Sequence, residues 1–75
     1  MADLGDVAIS ALEPLLGPTV ASTCIRASAL SIGKIASQLD ESDLPMLENN
    51  IRRVLAPVAP VAVIGAVLAQ IKGAL

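Results

Sequence analysis

Apolar positions along this 75-residue chain recur with a helical period, and glycines and prolines cut the pattern into four segments. In the first, Leu4, Ala8, Ala11, Leu12 and Leu15 fall on one face. Asp3 stands ahead of it as the expected N-cap, with Asp6 in the first turn. Pro14 strains the last turn, because it removes a backbone donor and crowds the carbonyl four residues earlier. Gly17 is placed to end this helix. Pro18 is placed to open the next, where its missing N–H costs nothing.

The second segment is expected to run to about Ile32 and to close on Gly33 in the left-handed conformation. Val20, Cys24 and Ala27 line one side; Ala21, Ile25, Ser28 and Ile32 line the next. Small residues let helix backbones approach closely, which predicts a central position. The third segment has Ser42 or Asp43 as its N-cap and Pro45 in its first turn. Leu44, Leu47, Ile51, Val54 and Leu55 form its apolar stripe, while Glu48, Asn49, Arg52 and Arg53 face water. A short turn of helix over Lys34 to Leu39 would lead into it.

Pro57 and Pro60 end the third segment and start the fourth. There Val61, Ile64, Val67 or Leu68, Ile71 and Leu75 recur at helical spacing, with Ala62, Ala66 and Ala69 opposite. A helix apolar nearly all round is normally buried on several sides. The expectation is an all-α bundle of four short helices, with the added turn as a fifth piece. It forms one domain over residues 1–75, and the second and fourth helices lie deepest.

Composition adds a reason to expect a partner. The chain is 55% hydrophobic and 16% charged, without aromatics or histidine. Soluble domains usually carry about 25% charged residues. A chain this short exposes much of its surface even when folded, so an excess of aliphatic residues predicts self-association. The formal charge of −2 argues against nucleic acid, which is met by basic faces and stacking aromatics. Arg52 and Arg53 fit the last turn of a helix, where cations are favoured. The acidic start "MADLGD" lacks the basic region of a signal peptide, and one unpaired thiol suits a reducing compartment, so cytoplasm is expected.

Candidate chemistry is sparse. Gly33-Lys34 would belong to a phosphate loop only with glycine at position 28 and Ser or Thr at 35, where Ser28 and Ile35 stand. Cys24 has no histidine to activate it and falls mid-helix, which is the setting of a small buried hydrophobe. The seven acids sit where capping and solubility account for them. No catalytic residue, cofactor or metal site is expected. Val54 to Ile71 is free of charge, yet Pro57 and Pro60 break it, so burial among helices is favoured over a membrane. A peripheral membrane-active helix is kept as an alternative.

Two resemblances bear on function. "ESDLPMLE", Glu41 to Glu48, is similar to the attachment motif of acyl carrier proteins, with Ser42 as the serine that would carry the arm. Here Glu41 precedes that serine, and Asp43 separates it from Leu44. "LEPLLGPTVASTCIRASAL", Leu12 to Leu30, resembles small helical modules appended to bacterial Ser/Thr kinases and Roadblock-type proteins. Leu15-Leu16-Gly17-Pro18 and Val20-Ala21 carry the likeness, and Thr19 departs from it. This implies a bacterial signalling adaptor without catalysis. The partner would be a second copy, forming a homodimer, or another helical protein. The contact surface would comprise Val20, Cys24 and Ala27 with Val61, Ile64, Leu68 and Ile71.

Overall fold

The computed structural model describes residues 3–74, and the helical positions predicted for them are largely those observed. Helix α1 spans Leu4–Leu16, α2 Pro18–Leu30, α3 Leu44–Leu55 and α4 Val61–Gly73. Single 3₁₀ turns at Ala36–Gln38 and Glu41–Asp43 bridge α2 and α3. No strand occurs among the described residues. Leu75, the last position of the predicted fourth stripe, lies outside them.

Local signals set the helix ends. The Asp3 carboxylate accepts from the Asp6 N–H at 2.8 Å, satisfying one of the orphan donors of the first turn. Helix α1 continues through Pro14 to Leu16, with the proline on the exposed side. Gly17 then adopts φ 81° and ψ 160°, a region open essentially only to glycine. Its carbonyl accepts the first bond of α2, from the Ala21 N–H at 3.0 Å. One residue therefore ends one helix and starts the other. At the far end of α2, Lys34 N–H reaches the Ala29 carbonyl and Gly33 N–H the Leu30 carbonyl, both at 3.0 Å. With Gly33 at φ 73°, this is the Schellman closure expected of that glycine.

The start of α3 differs from expectation. Asp43 precedes the helix but is helical itself, and its side chain makes no cap bond to α3. The carboxylate instead accepts from the Asp40 N–H at 3.1 Å, across the preceding turn. Ser42 donates to Asp40 and caps nothing in α3.

Helices α2 and α4 each pack on both α1 and α3, so they lie diagonally across the bundle. Every helix buries one face, and the largest fully buried side chains are Leu12, Ile25, Leu47, Ile51, Leu55 and Ile71. Helix α3 supplies three of those six, yet α1 has the most buried positions, five, against four each in α2 and α4 and three in α3, so α2 and α4 are not set apart as the deepest. Each such side chain contributes about 1.5–3 kcal/mol through removal from water. Leu15, Ile32 and Val54, placed on the inner stripes by spacing, are instead at least 40% exposed. Ile32 lies in the turn beyond the end of α2, and Leu15 and Val54 lie in the last turns of α1 and α3.

The largest departure is α4. Ile64, Val67, Leu68 and Ile71 face the core, while Ala62, Gly65, Ala66 and Ala69 face solvent. A four-helix layer gives a corner helix two neighbours, which cover only one side of it. The total accessible surface is 4344 Å², close to the roughly 4300 Å² typical of a folded monomer of this mass. The surface is ordinary in extent, and eight large hydrophobic side chains are exposed on it.

Candidate interaction surfaces

The seven residues expected to form one contact surface do not share a face. Ile64, Leu68 and Ile71 are 1–4% exposed and belong to the chain's own core. Their helical spacing reflected burial within the bundle. Val61 is 80% exposed at the start of α4. Val20 and Ala27 are exposed and Cys24 half-buried on α2, the helix diagonal to α4. The single predicted surface is therefore two separate ones.

The first is the outer side of α4 and the turn before it. Ala62, Ala66, Ala69 and Gly73 recur at intervals of three or four, Gly65 stands beside Ala66, and all are exposed. Val58, 65% exposed, and Val61 extend this strip at its N-terminal end. No charged side chain interrupts it until Lys72, whose ammonium reaches Glu48 of α3 at 2.9 Å.

The second surface is built around the outward side of α2, which has a groove on either flank. One groove, of about 340 Å³, is lined by Arg26 and Leu30 of α2 with Ile35, Ala36 and Ser37 of the first 3₁₀ turn. The other, of about 210 Å³, lies between α2 and α3 and is lined by Cys24, Ala27, Ser28, Asn50, Arg53 and Val54. Leu30 and Ile35 are 68% and 58% exposed, so the first groove is open and apolar. Sequence reading missed both, because each is made by two elements that meet only in the fold.

Cys24 stands in the wall of the second groove, and desolvation by burial pushes its thiol pKa up. Arg26 lines the opposite groove. Arg53 shares the groove with Cys24, yet burial leaves the thiol pKa raised and not lowered, so Cys24 is a weak nucleophile. Ser28 beneath it is buried and donates to the Cys24 carbonyl at 2.9 Å, which satisfies its hydroxyl within the helix.

Polar chemistry is concentrated in the bridge between α2 and α3. Lys34 Nζ binds Asp43 Oδ2 at 2.7 Å and lies 3.6 Å from Asp40 Oδ2. The bond to Asp43 raises the Lys34 pKa, while Ser42 hydrogen bonds hold the Asp40 carboxyl below its ordinary value. Lys34 thus ties the second 3₁₀ turn to the end of α2. Its Gly33 neighbour is a helix stop, and the pair forms no loop that could cradle a phosphate. Ser42 is exposed and engaged by Asp40, a carboxylate that also binds the Ser42 N–H at 2.9 Å.

No group of three or more potential metal ligands is found among the described residues. No buried side-chain polar atom is left without a partner among them. No helix among them is long and apolar enough to cross a membrane. The fold and its surfaces define an all-α helical bundle with two uncovered, largely apolar faces. Neither a family model, nor a curated protein, nor a solved structure matches this chain.

Proposed function

We propose that this protein is a small helical interaction module that self-associates, as a homodimer, through the outer face of α4. The observation that carries the reading is the uncovered strip Ala62, Gly65, Ala66 and Ala69, extended by exposed Val58 and Val61. Small residues without charge let a second helix approach closely, and contiguous exposed apolar surface is a common mark of association. The likeness of Leu15-Leu16-Gly17-Pro18 to helical modules of bacterial signalling proteins agrees with a cytoplasmic adaptor role without catalysis.

Light scattering across a concentration series tests this. The molar mass should rise above 7.6 kDa, and high salt should leave the association intact or strengthen it. Ala66→Gln, which puts a long polar side chain in the middle of the strip without changing charge, should return the protein to monomer with unchanged helical circular dichroism. A parent that stays at 7.6 kDa at every concentration would remove the reading.

A further inference from the structure

Charge is divided unevenly between the two parts of this chain. Up to Ile25 there are three acids, Asp3, Asp6 and Glu13, and no base. From Arg26 onward there are five bases and four acids. The first part therefore carries −3 and the second +1. Folding sharpens the division, because ion pairs within the molecule use Lys34 and Lys72 with Asp40, Asp43 and Glu48. Among the described residues Asp6, Glu13, Arg26 and Arg53, like Asp3, Glu41 and Arg52, have no ion-pair partner.

The first four of these groups lie on two complementary surfaces. On the solvent side of α1, Asp6, Ser10 and Glu13 are exposed in one row, opposite the buried Leu4, Ala8 and Leu12. The two carboxylates are seven residues apart on the helix, a rise of about 10 Å. On the outward side of α2, the exposed Thr23, Ala27 and Leu30 form a low ridge. Arg26 lines the groove on one flank of it and Arg53 the groove on the other.

We propose that the ridge of α2, with its flanking Arg26 and Arg53, receives the acidic face of α1 from a second copy of this chain. Asp6 and Glu13 meet the two arginines, and Ser10 lies over the small Thr23 and Ala27. The contact joins two different faces, so each copy can engage one neighbour through α1 and another through α2. Such head-to-tail contacts build rings or open chains. A second copy is favoured over an anionic membrane or nucleic acid because it supplies the matching carboxylates, whereas a molecule of net charge −2 is repelled by either polyanion.

The contact is independent of the proposed α4 association and opposite to it in salt dependence. It is tested in the Ala66→Gln background, where the α4 strip is blocked, by sedimentation between about 0.01 M and about 1 M salt. That range shortens the screening length from about 30 Å to about 3 Å. Association at low salt and its loss at high salt are expected. Asp6→Lys/Glu13→Lys and Arg26→Glu/Arg53→Glu should each weaken self-association by about tenfold or more, a change of about 1.4 kcal/mol. An equimolar mixture of the two should associate and grow again, since the unchanged faces meet as in the parent and the two reversed faces complement each other. Combining all four reversals should restore growth. Failure of the mixture to associate, with both variants still helical, would overturn the proposal. So would a background protein that stays monomeric at low salt or that binds anionic vesicles instead of itself.

Discussion

Gly5 of α1 lies against the backbone of Ala36, in the first 3₁₀ turn. A Cβ at position 5 would come within 3.0 Å of the Ala36 carbonyl carbon and nearer still to its oxygen. The obstacle is backbone, which cannot rotate aside. Gly5→Ala should therefore destabilise the fold by about 1–3 kcal/mol, although alanine favours a helix. Gly65→Ala is the matched control, with both substitutions made in the Ala66→Gln background so that the α4 strip is blocked. Its site on α4 has open space around it and helical φ, so stability should rise by about 0.5–1 kcal/mol. Urea unfolding followed by far-ultraviolet circular dichroism measures both, and a stabilised Gly5→Ala would contradict the close approach.

Gly17 tests backbone conformation and not space, since nothing lies within 4 Å of a Cβ built there. At φ 81° and ψ 160° an alanine would be strained by roughly 1–3 kcal/mol. Gly17→Ala should lower the urea midpoint, and a D-alanine introduced by chemical synthesis should restore most of it.

Ile51 is 1% exposed at the centre of α3. Ile51→Val should cost about 0.5–1.5 kcal/mol, whereas Val54→Ala on the 40% exposed edge of the same helix should cost less. Equal losses would mean that α3 is not packed as described.

The link from Lys34 to Asp40 and Asp43 sets a pH dependence. Asp40 has a lowered pKa in the fold, so its stabilisation is present above the ordinary aspartate value and is lost as pH falls through the lower folded value. Lys34 has a raised pKa, so its contribution is present below its ordinary value and is lost as pH rises through the higher folded value. Ser42→Ala removes the principal donors' hydroxyl at Asp40 and should raise that carboxyl's pKa, read by NMR titration of its side-chain carbon. An unchanged titration would disprove the Ser42 contact.

Cys24 is half-buried and its thiol pKa is raised by that burial. Reaction with a disulfide reagent near neutral pH should be about tenfold or more slower in the folded protein than in urea. A folded-state rate equal to the unfolded one would place the thiol in open solvent.

Helix positions were legible in the sequence because their signals act within a few residues. The Asp3 carboxylate reaches Asp6, Gly17 and Gly33 supply positive φ, and Pro18 and Pro60 stand where a missing N–H is tolerated. The stripe of α3 was also largely legible, since Leu47, Ile51 and Leu55 stand apart from polar neighbours and only one face could turn inward. The candidate surfaces were not. Cys24 and Ala27 were identified, but Asn50, Arg53 and Val54 complete their groove, and Ile35 to Ser37 complete the other beside Arg26 and Leu30, from elements whose meeting no local pattern records.

The sequence by itself thus determined four helices, the ends of α1 and α2 and the aliphatic excess of the composition. Only the tertiary structure decided which side of α4 is covered, that Ile64, Leu68 and Ile71 are core, and that Gly5 must stay glycine. The reason is common to all three. Where a helix is apolar on every side, or where a contact joins residues remote in the chain, spacing carries no preference, and the neighbouring helices choose.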